Sequence, residues 1–284
     1  MQEITSVRTV LFRILFAILE MIVGFLSKKL NNIILLYLID MWYNPTLALV
    51  SPINAKIFPR KCIKDNPREN NLQLYLRFNE GNGRTTFDYS EYGRHGVIYD
   101  ASWGKNDVDR GLWFNGVNSY VRTPSFTLSG TSISIVAWVK CAKYDKLQTI
   151  VNKEKQSSSQ GYIFIYRISN SNAIAFQFTT GTGVQTLTFG NFFTGYDDQY
   201  LFVAVTCDYE NKILNVYRNG QLYEPRNVAD SMIFPSTSSA CYIGSYQWNM
   251  HFFKGVIDEV RLYNRLLTNQ EIRMIYENEK DNYR

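Results

Sequence analysis

The segment FKGVIDEVRLYNRLLTNQEIRMIY (253–276) begins with the alternation of a β-strand and ends with the spacing of a helix. Alternate residues of a strand share a face, so Asp258 is expected to lie in line with three apolar side chains, Val256, Val260 and Leu262. A buried carboxylate requires a cation or several hydrogen-bond donors. Asp258 is therefore expected to contact either a cation or several hydrogen-bond donors, and the segment itself does not show which.

The second half of the segment predicts a short closing helix. Thr268 and Glu271 have the spacing of a capping box, which marks a helix start. Ile272, Ile275 and Tyr276 then follow at helical spacing.

Upstream of this segment, the period of the apolar residues is two from residue 72 onward. SISIVAWVKC (132–141) shows the alternation most clearly, with Ile133, Ile135, Ala137 and Val139 on one face. Asn219-Gly220 is a two-residue hairpin signal between two such stretches. About a dozen short strands separated by Gly, Asn, Asp and Ser clusters predict a mainly β fold, an antiparallel two-sheet sandwich.

The first fifty residues differ from all that follow. Residues 10–26 and 33–50 are almost wholly apolar, interrupted by Arg13 and Glu20 in the first stretch. We interpret the 1–50 segment as an apolar helical element that spans or lies in a membrane. A secretory signal and a helical hairpin packed on another protein are the alternatives. Residues 51–71 contain Pro52, Pro59 and Pro67 and are interpreted as a linker, with the sandwich domain at 72–284.

The chain from residue 72 to 276 resembles the laminin-G-like, concanavalin A-like jelly-roll family. Four stretches carry the resemblance, in family order: LRFNEGNGRTTFDYSEYGRHGVI (76–98), GLWFNGVNSYVRTP (111–124), SISIVAWVK (132–140) and the closing segment. The resemblance implies two antiparallel sheets with a curved face, and binding of glycans or proteins. It also implies that the first and last long strands lie side by side.

A calcium site is the further implication of the resemblance. With the first and last strands adjacent, Asp258 could approach the turn that carries Glu80, Asp88 and Ser90. Carboxylate, hydroxyl and carbonyl oxygens are the ligands that calcium prefers. The alternative is that Asp258 accepts N–H groups of the 115–118 turn or pairs with an arginine such as Arg84.

Two classes of function are disfavoured by the sequence. Residues 1–70 carry nine Lys/Arg and five Asp/Glu, so most of the net charge of +5 lies there and the rest is nearly neutral. No basic stripe for nucleic acid is present. A retaining glycosidase needs two carboxyl groups on one face, but Asp197-Asp198 and Asp258-Glu259 are adjacent and point to opposite faces. The sequence therefore predicts a protein that is not an enzyme.

Candidate ligand contacts lie in QWNMHFF (247–253) and the residue before it. Tyr246 and Trp248 could stack on sugar rings, although Trp248 could equally close the sandwich edge. Of the four cysteines, Cys141 and Cys207 each end a strand and are expected to be buried free thiols.

Two hypotheses of function remain open. In the first, the chain is a membrane-associated module, attached through residues 10–50 with the sandwich outside the bilayer, that binds glycan or protein. In the second, it is a structural accessory subunit of a larger membrane assembly, such as a multi-subunit complex or a virion coat, in which the sandwich is a packing block.

Overall fold

The structure is a computed structural model that describes residues 70–104, 111–153, 163–167, 171–247 and 250–283. These residues belong to one compact unit, Lys64–Arg284. The predicted apolar segment 1–50, nearly all of the predicted linker, Cys62 and Trp248 lie outside the described residues. No helix within the described ranges is both long and apolar enough to cross a membrane.

In its described residues the chain forms seventeen β-strands and one α-helix, which is followed by a 3₁₀ turn at Lys280–Asn282. The elements are β1 (Leu72–Leu76), β2 (Thr85–Thr86), β3 (Gly96–Tyr99), β4 (Ser102–Trp103), β5 (Leu112–Asn115), β6 (Tyr120–Phe126), β7 (Ser132–Cys141), β8 (Gln148–Lys153), β9 (Ile163–Arg167), β10 (Ile174–Thr180), β11 (Gly183–Phe189), β12 (Tyr200–Asp208), β13 (Ile213–Arg218), β14 (Gln221–Asn227), β15 (Met232–Ile233), β16 (Ser239–Ile243), β17 (Lys254–Tyr263) and α1 (Asn269–Glu279).

The strands form two sheets in which the paired strands are antiparallel. The eight-stranded sheet has the order β14-β13-β12-β7-β17-β5-β4, and β1 pairs with β17 beyond this path. The nine-stranded sheet has the order β11-β10-β9-β8-β16-β6-β3-β2, and β15 pairs with β10. The predicted mainly β, two-sheet jelly-roll sandwich with a short C-terminal helix is confirmed, and the first and last long strands are neighbours.

Alternation along β7 shows how the sequence builds two apolar layers. Ile133, Ile135 and Val139 point into the core between the two sheets. Val136 and Trp138 point to the opposite face, where Ile272 and Ile275 of α1 cover them. The eight-stranded sheet is therefore buried on both faces along its centre.

Local signals in the sequence also form as expected. Thr268 caps α1 through a complete capping box with Glu271. Asn219 (φ +49°) and Gly220 (φ +74°) make the two-residue turn between β13 and β14, where positive φ at both residues matches a type I′ hairpin. Cys141, Cys207 and Cys241 are buried free thiols, as expected for the first two. Burial raises the pKa of the Cys141 thiol to about 12.

Candidate functional site

A β-bulge in β17 decides where Asp258 points. The register of β17 on β7 shifts between Asp258 and Arg261, and Glu259 has φ +50°. Ile257 faces the core before the bulge, whereas Val260 faces it afterwards. The extra residue of a bulge reverses the alternation. The expectation that Asp258 shares a face with Val260 and Leu262 is therefore wrong.

Asp258 instead faces the layer beneath α1. Its carboxylate accepts a hydrogen bond from the Tyr283 hydroxyl (2.6 Å) and one from the Glu259 N–H (2.9 Å). The Tyr283 ring stacks on Trp138, the residue opposite Asp258 in β7, with ring centroids 4.1 Å apart. Burial, helped by the neighbouring Glu259 charge, raises the pKa of Asp258 well above its usual value. These partners differ from the 115–118 turn and Arg84, which were the contacts named as the alternative to a calcium site.

The same layer contains a buried ionic network centred on Arg261. Its guanidinium donates to Glu259 (2.7 Å) and to the Tyr75 hydroxyl (2.6 Å), and it is also paired with Glu279. Glu279 in turn accepts a hydrogen bond from the Trp138 indole (2.8 Å). The network joins the helix to the sheet, so the carboxylates of this region have a structural role.

Asp88 and Glu80, two of the residues predicted to hold calcium, both accept hydrogen bonds from nearby groups of the chain. Asp88 accepts hydrogen bonds from the N–H groups of Tyr75 (2.9 Å) and Arg94 (2.7 Å), and from the N–H and hydroxyl of Ser90. Glu80 accepts from the Phe87 N–H (2.7 Å). Donors thus surround both oxygens of Asp88, which makes Asp88 a poor ligand for a cation because its lone pairs are already engaged. Glu80 differs, since its Oε2 is buried and has no hydrogen-bond partner among the described residues.

Asp258 does not join these residues. Among the described residues there is no group of three or more His, Cys, Asp or Glu side chains that could hold a metal ion. The hydrogen bonds of Asp258 go to Tyr283 and Glu259 and not to Glu80, Asp88 or Ser90, so we derive no calcium chemistry from these four residues. Calcium binding stays a prediction, which is checked by asking whether added calcium raises the melting temperature of the protein.

The predicted ligand residue Tyr246 lies in the loop that follows β16. It is half-buried, bridges to Met250 and has its ring 5.5 Å from that of His251. The loop contacts β8, since the His251 carbonyl accepts the Thr149 N–H (2.9 Å). Trp248, its predicted companion, is outside the described residues, so the pairing of the two stays a prediction.

A cluster of tyrosines on the outer face of the nine-stranded sheet is a second candidate site, and it combines more aromatic and polar groups than the Tyr246 loop. Tyr99 on β3 and Tyr120 on β6 are paired in register, and their rings stack with centroids 4.5 Å apart and an interplanar angle of 14°. Tyr242 on β16 lies beside Tyr120, at 6.0 Å between centroids. Arg122 donates from Nε to the Tyr242 hydroxyl (3.1 Å). We call Tyr99, Tyr120, Arg122 and Tyr242 the tyrosine surface.

The tyrosine surface is accessible on one side. Tyr99 is 38% exposed and Arg122 is exposed, whereas Tyr242 is almost fully buried and forms the floor. Burial, together with Tyr99 and Tyr242 alongside, raises the pKa of Tyr120, so its hydroxyl keeps its proton at neutral pH. The surface can therefore offer aromatic faces together with hydroxyl and guanidinium donors.

Two turns add polar groups to one end of this surface. Asp100, at the end of β3, accepts a hydrogen bond from the Asn118 amide (2.9 Å). Asn115 holds the second turn by accepting the N–H groups of Val117 (2.7 Å) and Asn118 (3.0 Å). The exposed carboxylate and amides thus stand next to the stacked rings at fixed positions.

Asn152 on β8 lies beside the floor of the surface, opposite Tyr242 in register. Its side chain is fully buried, and within the described part of the chain neither its amide oxygen nor its amide nitrogen has a hydrogen-bond partner. An unpaired buried amide costs free energy, so Asn152 destabilises the sandwich at this position.

Sequence reasoning overlooked the tyrosine surface. Val97 and Tyr99 alternate with buried residues in β3, and so do Tyr120 and Arg122 in β6. The same period of two that locates the strands also places these residues on the solvent face. Their meeting with Tyr242 depends on sheet order, which the sequence does not show.

The two packed antiparallel sheets define the class of the fold, the jelly-roll sandwiches. The family model described as the concanavalin A-like lectin/glucanases superfamily matches residues 115–273, more than half of the chain. The chain therefore belongs to that superfamily. No curated protein matches the chain.

Several solved structures share the fold. The receptor binding domain of botulinum neurotoxin D matches with a TM-score of 0.58 and 16% identity, over 75% of this chain and 54% of that one. The serotype D ligand binding domain in complex with N-acetylneuraminic acid matches at 0.56 and 17%, over 74% and 52%. The serotype G binding domain matches at 0.57 and 18%, over 72% and 50%. This chain thus spans about half the length of these structures, and the likeness is one of fold.

Proposed function

We propose that the protein is a non-enzymatic binding module that recognises a glycan through the tyrosine surface. The observation that carries this proposal is the stacked pair of Tyr99 and Tyr120 on an exposed sheet face. Binding sites commonly combine aromatic walls with a few fixed polar groups. Tyrosine suits this role because its ring is apolar and its hydroxyl hydrogen-bonds. The superfamily membership and the neurotoxin binding domain solved with N-acetylneuraminic acid support the choice of a glycan.

The arrangement of carboxylates supports a binding role rather than catalysis. Glu259 and Glu279 both contact Arg261 and have side chains that are only 11% and 16% exposed beneath α1. Both carboxylates are thus engaged by Arg261, whereas a glycosidase needs its two carboxyl groups free on either side of the scissile bond. Asp100, at the rim of the tyrosine surface, is bonded to an amide and serves as a hydrogen-bond acceptor for a ligand hydroxyl.

In this proposal residues 10–50 attach the module to a membrane, with the sandwich outside the bilayer. The support is the sequence, whose apolar stretches contain only Arg13 and Glu20 as charged residues between residues 10 and 26. Fractionation of cells that express the full chain tests this part. Release of the protein by high salt without detergent would contradict it.

A glycan array with the full-length protein tests the recognition. The wild type should bind a subset of glycans, and Tyr120→Ala should lose that binding because it removes the central ring of the surface. Tyr89→Ala is the matched control, since Tyr89 is an exposed tyrosine (44%) on a different segment. Equal binding by wild type and Tyr120→Ala to every glycan would contradict the proposal.

The alternative role, a structural subunit of a larger membrane assembly, has one specific observation in its favour. Phe87, Tyr89 and Tyr92 are 48%, 44% and 45% exposed within six residues of chain, which is a concentration of apolar surface suited to a protein partner. Purification at native abundance distinguishes the two roles. A stoichiometric complex that is lost in Phe87→Ser would favour the subunit, and an isolated protein would favour the binding module.

A further inference from the structure

A polar cleft of about 380 Å³ lies between α1 and the turn that joins β13 to β14. It is on the outer side of the eight-stranded sheet, because α1 covers that face, whereas the tyrosine surface belongs to the other sheet. Its lining includes three cations, Arg218, Arg273 and Lys280, and one carboxylate, Glu277. The cleft therefore carries a formal charge of about +2, from three cations and one anion.

Arg218 is held in one position. Its Nη1 donates to the carbonyl oxygens of Phe192 (3.0 Å) and Asn191 (3.3 Å). Its guanidinium lies near the rings of Tyr223 (4.7 Å) and Tyr196 (5.6 Å). The hydrogen bonds use only Nη1, so the Nε–Nη2 edge has no hydrogen-bond partner among the described residues. That edge carries two parallel N–H donors, the geometry that matches a carboxylate, phosphate or sulfate group.

The other two cations differ in how they are paired. Lys280 forms an ion pair with Glu277, which balances one charge of each sign. Arg273 is exposed, and in the described part of the chain its side chain has neither an ion pair nor a hydrogen bond. After the Lys280–Glu277 pair is set aside, the two arginines supply the positive charge of the cleft.

The floor of the cleft is rigid. The Asn219 amide donates to the Tyr196 hydroxyl (3.1 Å), and its amide oxygen accepts the Phe202 N–H (3.1 Å). Gly220 packs against Tyr276 of α1 so closely that an added Cβ would lie 2.8 Å from the Tyr276 Cβ. Turn and helix are therefore fixed against each other, and the arginines are arranged before any ligand arrives.

We propose that this cleft binds the oxyanion of a phosphate or sulfate ester, with the Nε–Nη2 edge of Arg218 as the bidentate donor and Arg273 as the second cation. Two guanidinium groups match a tetrahedral oxyanion better than a monovalent halide, because they donate several directional hydrogen bonds. The inference is independent of the glycan proposal, since the two sites lie on different sheets and share no residue.

Calorimetric titration of the full-length protein with 4-nitrophenyl phosphate and 4-nitrophenyl sulfate tests the proposal, in chloride buffer of constant ionic strength. At least one ester should bind, and the stronger of the two identifies the anion. Arg273→Gln should weaken that binding about ten-fold, since it removes a charged donor. Arg218→Gln should weaken it further. Arg84→Gln is the matched control, because Arg84 is exposed and lies outside the cleft.

Two results would overturn the proposal. One is the absence of heat of binding for both esters. The other is an unchanged affinity in Arg273→Gln, a variant that alters an exposed side chain and is expected to fold. Tyr120→Ala should bind the esters like the wild type. The ester titration therefore tests the cleft whether or not the glycan proposal holds.

Discussion

Replacing Arg261 by methionine should destabilise the protein by about 3 kcal/mol. Arg261 pairs with Glu259 and Glu279, and the three side chains are only 9%, 11% and 16% exposed. Loss of one partner of a buried pair typically costs about 3–5 kcal/mol, because the remaining charge is left uncompensated. Arg77 still contacts Glu259 at 3.4 Å in the variant, which favours the lower end of that range. Methionine keeps much of the volume of the arginine side chain, so the loss of stability reports the missing charge rather than missing packing.

Urea unfolding followed by tryptophan fluorescence measures this loss. Trp138 is a suitable reporter because it stacks on Tyr276 and Tyr283 and is bonded to Glu279 within the same layer. Arg226→Met is the control, since the Arg226–Glu224 pair is 45% and 36% exposed and should contribute less than about 1 kcal/mol. A loss in Arg261→Met no larger than that of the control would refute the structural role of the network.

Two further predictions concern buried polar groups. Burial raises the native pKa of Asp258 above its unfolded value of about 4, so its stabilising contribution is complete below that pH and is lost as pH rises through the native pKa. Asp258→Asn should therefore gain stability relative to wild type as pH rises from about 4 towards the native pKa, by up to about 1.4 kcal/mol per pH unit, and a pH-independent difference in urea midpoints would contradict this. Asn152→Leu should stabilise the protein by about 1–3 kcal/mol, because it removes a buried amide that has no hydrogen-bond partner among the described residues. Thermal melts measure this gain in stability, and a lower melting temperature in Asn152→Leu would contradict the prediction.

Local sequence signals predicted much of the fold because their causes are local. The alternation of residues 132–141 sets the bounds of β7, and the spacing of Thr268 and Glu271 sets the start of α1. Asn219-Gly220 sets a turn because both residues tolerate positive φ. Each of these features requires only neighbours in the chain.

The candidate site, in contrast, depends on contacts between residues that are far apart in the chain. The bulge at Asp258 and Glu259 follows from how β17 pairs with β7, so simple alternation assigned Asp258 to the wrong face. The tyrosine surface combines Tyr99, Tyr120 and Tyr242 from three strands whose adjacency is a property of the sheet order β16-β6-β3. Sequence periodicity found each strand and its solvent face, but it could not show which solvent faces adjoin.

The affinity of Tyr99 variants for the glycan that binds best on the array tests the central claim most directly. Tyr99→Ala removes the exposed half of the stacked pair, and Tyr99→Phe keeps the ring while removing only the hydroxyl. Calorimetry should show that the affinity of Tyr99→Ala falls at least about ten-fold, which corresponds to a loss of about 1.4 kcal/mol or more of binding free energy. The affinity of Tyr99→Phe should fall much less. Binding by Tyr99→Ala that equals the wild type would contradict recognition through the tyrosine surface.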